Sequence, residues 1–414
     1  MPGSEKLRTT CCVTGGGPAG MMLGYLLARA GVDVIVLEKH GDFFRDFRGD
    51  TIHPSTLELM HELGILDDFL KLPYQKAETI GGTIGNFSFT VADFTHLPTR
   101  CKFIAFTPQW DFLDFIAGQA KKYPSFRLLM EHEVTDLIRE GQRVVGVRAW
   151  TKKGEVDILA DLVVGADGRS STVREKSRLP VHDFGAPFDV LWMRVSRDPD
   201  DPNMSLGHFD SGRALITINR QTYWQCGFVI AKGTLDTIRQ KGLAAFQEDV
   251  VHLAPFLRER VAELDSWDKI KLLTVQVNRL ERWHLPGLLC IGDAAHAMSP
   301  MGGVGINLAI QDAVATANLL AAPLLAQTVT EQTLARVQAR REWPTKIIQS
   351  LQIFMQNTFL AKVLERRQKM KVPLFPKLVA RFPILRRIPA RIIGIGFRPE
   401  HIHTPAVSDH KNQR

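Results

Sequence analysis

Residues 13 to 20, Val-Thr-Gly-Gly-Gly-Pro-Ala-Gly, constrain the fold of this chain more than any other stretch. The β-prone residues Thr9 to Thr14 precede the glycines. After them Met22, Leu23, Leu26, Leu27 and Ala30 recur at helical spacing, and Gly31 supplies a stop. The order predicts strand, tight turn and helix. In such a GxGxxG turn Gly15 permits the reversal, and Gly17, followed by Pro18 and Ala19, lets the backbone approach a pyrophosphate. Gly20 lets the helix close on the sheet, and the helix N-terminus offers unpaired N–H groups to phosphate. A second strand, Val32 to Leu37, leads into Glu38 and Lys39. A carboxylate about twenty residues past the glycines accepts a hydrogen bond from a ribose 2′-OH and disfavours a 2′-phosphate. A GxGxxG alone also describes a structural turn with Glu38 merely exposed at a strand end. The ordered conjunction favours a bound dinucleotide, with FAD and NAD both open at this point.

At 414 residues the chain can bury a large core and is expected to hold two domains. Its five cysteines (Cys11, Cys12, Cys101, Cys226, Cys290) form no CxxC pair, so neither a metal site nor a disulfide framework is predicted. A reducing, cytoplasmic setting fits them best. The start of the chain shows no signal-peptide pattern, and no run of about 18 apolar residues marks a membrane span. The net charge is +8, but residues 361 to 398 hold eleven Lys or Arg against Glu365 alone. The basicity therefore belongs to the C-terminal tail and does not indicate a nucleic-acid partner.

Two further segments have the strand-then-turn pattern of an α/β core. In DLVVGADGRS (161–170) a short apolar run ends at Asp167-Gly168, and in LLCIGDAAH (288–296) another ends at Gly292-Asp293. A glycine loop from Pro300 to Asn307 follows, including Gly302, Gly303 and Gly305. Beyond it Ile306, Ile310, Ala313, Val314, Ala317 and Leu320 recur as one face of a helix. Residues 183 to 266 are instead β-prone and alternating, with a predicted hairpin of 214–218 and 223–230. The expected organisation is a discontinuous dinucleotide-binding domain (6–80, 100–180 and 268–345), an antiparallel-sheet substrate domain (81–99 and 181–267), and a basic, mainly helical C-terminal region (346–414).

With these three elements in order, residues 9 to 345 resemble the para-hydroxybenzoate hydroxylase family of FAD-dependent aromatic monooxygenases. The resemblance implies an α/β fold: a Rossmann-like FAD-binding domain with an inserted antiparallel substrate sheet. It also implies roles. Arg48 and Gln109 would hold the ribityl and phosphate region of FAD, and Asp293 would accept hydrogen bonds from ribityl hydroxyls. Asp167 and Gly168 would contribute to FAD and NAD(P)H binding, and Pro300, Gly302, Gly303, Gly305, Ile306 and Asn307 would wall the flavin pyrimidine. Read without the resemblance, Arg48 is equally an exposed loop charge, and His296 is more ordinarily a packing residue than a base.

The chemistry so implied is hydroxylation of an aromatic or polyketide-like, lipophilic substrate, with NAD(P)H and O₂ as co-substrates, through a flavin C4a-hydroperoxide. No protein nucleophile or metal is needed, and no catalytic base is assigned. Substrate contacts are expected on the inserted sheet, from Trp192, Arg194, Thr217, Asn219 and Trp224, together with Pro300. By alternation alone these residues are equally ordinary core. A flavin-dependent reductase of an isoprenoid-like substrate is the competing reading. A halogenase is disfavoured because Trp283-His-Leu-Pro286 does not make a WxWxIP motif. The tail, with apolar residues between arginines and prolines that break any long helix, leaves three readings open: docking on the protein's own body or on a second subunit of a homodimer, peripheral contact with an anionic membrane, or a cap over the substrate entrance.

Overall fold

The computed structural model describes residues 5–44, 51–202, 206–210, 212–365 and 372–407. Strand β1 (Glu5–Thr14) is buried on both faces over Cys11, Cys12 and Val13, as the unbroken apolar run requires of a central strand. It pairs in parallel with β2 (Val34–Glu38) on one side and with Gly154–Gly165 on the other. Phe126–Met130 extends the sheet beyond β2, and Leu288–Cys290 extends it beyond Gly154–Gly165. The register puts Thr14 level with Leu37 and Gly165, and Gly165 level with Cys290. Four chain segments remote in sequence therefore leave the sheet along one carboxyl edge. Helix α1 (Pro18–Arg29) covers one face of the sheet and packs against Gly305–Leu325 and Gln109–Ala120. The segment Met301–Leu325 is long and apolar enough to cross a membrane, but two thirds of it is buried in this core.

A second sheet has seven strands in the order 271–273, 188–196, 223–231, 213–219, 206–210, 79–84 and 87–93. The hairpin of Arg213–Asn219 and Tyr223–Ala231 forms as the alternation predicts. One face packs against the helix Leu243–Leu253 through Leu191, Met193, Leu215, Cys226 and Phe228. The other carries Val190, Trp192, Phe209, Ala214 and Val229 and meets Met301 of the glycine loop. Two expected boundaries move. The strand Lys271–Leu273 belongs to this sheet although it lies past residue 267, because it hydrogen-bonds to Val190–Trp192. Residue 346 lies inside one continuous helix, Glu331–Met355, which carries Pro344 and is capped at its start by Thr330, so no break separates 345 from 346.

Candidate functional site

The turn after β1 has the geometry its glycines permit. Gly15 has φ +100, and a side chain there would meet the Ala166 carbonyl at 2.5 Å. At Gly20 a Cβ would lie 1.9 Å from the Gly15 carbonyl, so helix α1 approaches the turn as only glycine allows. Gly17 differs from both. It caps α1 without a side-chain hydrogen bond, its φ is −73, and a Cβ there would meet nothing within 4 Å. The first N–H groups of α1 thus open onto unfilled space, the arrangement an anionic pyrophosphate needs. Glu38 stands at the lip of this space, with Oε2 accepting from the Gly16 N–H (3.0 Å) and Oε1 from the His40 N–H (3.1 Å). Lys39, the next residue, is exposed.

At the same edge Gly292 (φ +59) packs between Ala19 and Ala309, and the partly exposed Asp293 carboxylate lies 3.6 Å from Arg169. Gly168 (φ +87) is open. The Asp167 carboxylate, by contrast, is engaged inside the protein. It accepts from the Ser171 hydroxyl (2.5 Å) and the Val173 N–H (3.1 Å), tying down the short helix Thr172–Ser177. Burial pushes its pKa up, against the pull of these hydrogen bonds. Gln109 opens the helix Gln109–Ala120, and Arg48 lies outside the described residues.

The glycine loop closes the space. Gly302 (φ +78) and Gly303 (φ +63) are left-handed, and a Cβ on Gly303 would meet Thr51 Oγ1 at 2.6 Å. The helix Gly305–Leu325 then begins without a side-chain cap, leaving its first N–H groups, those of Gly305, Ile306 and Asn307, without helical acceptors. The Asn307 side chain is a strut. Its Oδ1 accepts from the His53 N–H (2.9 Å) and the Thr56 hydroxyl (2.7 Å), and its Nδ2 donates to the Thr51 carbonyl (3.1 Å). Only its backbone remains for a ligand. His296 is buried against Trp283 and pairs with Asp312 at 2.5 Å, so it is a packing residue here.

The substrate residues divide between the two faces of the second sheet. Trp192 pairs with Gly227, which pairs with Ile216, then Gly207 and Gly82. The missing side chains let rings lie flat. A Cβ on Gly227 would touch the Trp192 indole at 3.0 Å, and one on Gly207 would touch the Phe209 ring at 2.9 Å. Trp192, Phe209 and Met301 belong to one apolar cluster, so this face presents an aromatic wall to the glycine loop. The indole Nε1 of Trp192 is buried without a partner among the described residues. Arg194 shares the face but is exposed, its guanidinium 3.9 Å from the Tyr223 ring.

Thr217, Asn219 and Trp224 lie on the opposite face, which corrects their expected role. Thr217 meets His208 Nε2 (3.2 Å), Asn219 Oδ1 accepts from the Gln221 N–H in the hairpin turn (2.8 Å), and Trp224 Nε1 donates to Asp201 (2.8 Å). Both faces of the sheet are buried, so alternation cannot say which one faces the cofactor.

Sequence reasoning missed His53 and left the place of the tail open among three readings. His53, just ahead of α2 (Pro54–Glu62), is buried, donates from Nδ1 to the Ile393 carbonyl (2.7 Å), and has no partner for Nε2 among the described residues. Burial takes its pKa down to about 4 against the pull of that carbonyl, so the ring is neutral at ordinary pH. The tail helix Arg387–Gly394 places Ala390 and Ile393 in the cluster that includes Trp192. Ile392 and Phe397 pack on Val304 and Leu308 beside the glycine loop. A lone histidine and a stretch of alternating Arg and Ile carry no sequence signal for such contacts.

An anion cradle and a carboxylate at the carboxyl edge of a parallel sheet, faced by a glycine loop and an aromatic wall, make a dinucleotide site with a second surface for a substrate. Residues 8–350 match the FAD binding domain family, and the chain belongs to it. It is 31% identical over 399 residues to 6-methylpretetramide 4-monooxygenase of Streptomyces rimosus, covering 94% of this chain and 93% of that one. It is 26% identical to dialkyldecalin synthase of Streptomyces rugosporus, over 74% of this chain and 63% of the relative. The fold matches p-nitrophenol 4-monooxygenase of Pseudomonas putida with a TM-score of 0.75 at 19% identity, over 93% of this chain and 97% of that structure.

Proposed function

We propose that this flavoenzyme hydroxylates a planar aromatic or polyketide-like substrate laid between the glycine loop and the wall of Trp192 and Phe209. The carrying observation is the glycine row that seats those rings flat against the sheet. The α1 N-terminus would hold the pyrophosphate, Glu38 the adenosine ribose, Asp293 the ribityl chain, and the backbone N–H groups from Gly305 onward the pyrimidine end of the flavin. FAD, when bound, activates dioxygen with electrons from NAD(P)H and gives one oxygen atom to an electron-rich ring. The protein's own share is orientation and exclusion of water. The aromatic wall stacks the substrate, and the uncapped helix dipole favours the negative charge that gathers at its end. The reaction is proposed to run in the cytoplasm, where the five buried cysteines stay reduced.

The test is product mass after turnover with labelled dioxygen. Incorporation of one labelled atom, with substrate-stimulated NAD(P)H oxidation, supports hydroxylation. A gain of two hydrogens and no oxygen moves the enzyme to reduction of an isoprenoid-like substrate. Trp192 gives a finer check. Trp192→Ala removes a stacking surface and should raise substrate KM by roughly 10- to 100-fold while FAD content stays the same. Trp192→Phe, which keeps a smaller aromatic ring on the sheet, should cost less than about tenfold. An unchanged KM in Trp192→Ala would remove the wall from the site.

A further inference from the structure

We propose that the C-terminal segment from Leu374 to Arg391 docks the enzyme on an anionic lipid surface. The segment is a helix (Leu374–Arg381), a short 3-10 turn (Pro383–Arg386) and a second helix (Arg387–Gly394). Its inner side is fixed. Pro376, Val379, Ala390 and Gly394 are buried, both helices pack on the strand Phe87–Asp93, and Arg386 donates from Nε to the Val379 carbonyl (2.9 Å). Its outer side is apolar and open. Leu374 (70% exposed), Phe375, Leu378, Phe382, Ile384 (66%) and Ile388 (60%) lie on this one short stretch. Single exposed apolar residues are ordinary on a protein surface, whereas a cluster of six large ones calls for an occupant.

Charge identifies that occupant. Lys377, Arg381, Arg387 and Arg391 are exposed among these side chains, and no Asp or Glu occurs between Glu365 and Glu400. A second copy meeting this face about a twofold axis would set cations against cations with no acid from the segment between them. Anionic headgroups neutralise the cations while the leucine, phenylalanine and isoleucine side chains enter the acyl boundary. The opposite side of the same segment roofs the candidate site, through the Ile393 carbonyl on His53 and Ala390 in the cluster with Trp192. Docking therefore sets the site one layer of protein from the bilayer. That this admits a lipophilic substrate rests on the monooxygenase reading; the docking itself does not.

Full-length holoenzyme should sediment with vesicles of phosphatidylcholine and phosphatidylglycerol, be released by salt, and stay in solution with phosphatidylcholine alone. Each cation near such a surface contributes about fivefold in partitioning, so Arg381→Glu with Arg387→Glu should lower binding by at least about 20-fold. Phe375→Ser with Ile384→Ser and Ile388→Ser should do the same, with the flavin spectrum and melting temperature as checks that the fold persists. Three results overturn the proposal: no sedimentation with anionic vesicles, equal sedimentation with both compositions, or a dimer by light scattering that these substitutions dissociate. Sedimentation needs no turnover, so a protein that binds vesicles but hydroxylates nothing sinks the activity and keeps the surface.

Discussion

Gly17→Glu should give a folded protein that purifies without FAD. Nothing lies within 4 Å of a Cβ at Gly17, and its φ of −73 suits any residue, so the substitution strains neither backbone nor packing. Its melting temperature without ligand should stay within about 2 °C of the parent, as expected where no buried contact is lost. The new carboxylate would enter the space the α1 N-terminus presents to phosphate, competing for the same N–H groups and repelling the anion. A loss of at least about 100-fold in FAD affinity follows, roughly 3 kcal/mol. Gly20→Ala is the contrasting case, because its Cβ would sit 1.9 Å from the Gly15 carbonyl and must push α1 off the turn. That variant should lose stability and cofactor together. The visible spectrum gives the ratio of flavin to protein, and a melting curve gives the fold. Stoichiometric FAD in Gly17→Glu would mean that the pyrophosphate lies elsewhere.

The contrast between those two glycines also marks what was legible in the sequence. Turn, helix and trailing acid are local, so spacing alone revealed β1, α1, β2 and Glu38. The approach of Asp167-Gly168 and Gly292-Asp293 to the same edge depends on strand order, which no window of sequence contains. The resemblance supplied that order. The inserted sheet was legible as a sheet with aromatic faces but not as to which face forms the wall, because Trp192 and Trp224 follow the same alternation and only the packing of Met301 on one side and Leu243–Leu253 on the other distinguishes them. Asn307, expected in the glycine loop, lies in the first turn of the helix Gly305–Leu325, and its amide is consumed by Thr51, His53 and Thr56. For the tail, the structure shows the inner side packed on the protein's own body, over the candidate site, with the outer side open. Its anchors are pairs such as Arg341 with Glu400, far apart in sequence and invisible to any periodic pattern.

Arg341→Met should lower stability by about 4 kcal/mol, because it leaves the Asp312 carboxylate buried with His296 alone opposite it, whereas Glu400 keeps Arg340 (2.8 Å). Asp312 stands in the N-terminal half of the helix Gly305–Leu325, fully buried. It accepts from Arg341 Nε (3.0 Å), sits 2.5 Å from His296 Nε2, and accepts from the Gly292 N–H (3.1 Å). Arg341 is itself buried and reaches Glu400 (3.2 Å) and the Arg398 carbonyl (3.2 Å), joining the tail to the glycine-loop helix. Burial pushes the Asp312 carboxyl up, but His296 and Arg341 together bring it below the ordinary carboxylate range. A carboxyl lowered by folding contributes stability above its unfolded pKa and loses it as pH falls through the folded one. Without Arg341 the burial cost is less opposed and the carboxyl rises, so protonation in acid relieves the variant where it harms the parent. The melting temperature should therefore drop by roughly 5 °C at neutral pH, and the gap should narrow toward pH values in the carboxylate range. Because Asp312 also orients the Gly292 N–H, the variant should bind FAD more weakly even below its melting transition. A gap that stayed constant or widened in acid would show that lost packing, and not the uncompensated carboxylate, sets the cost.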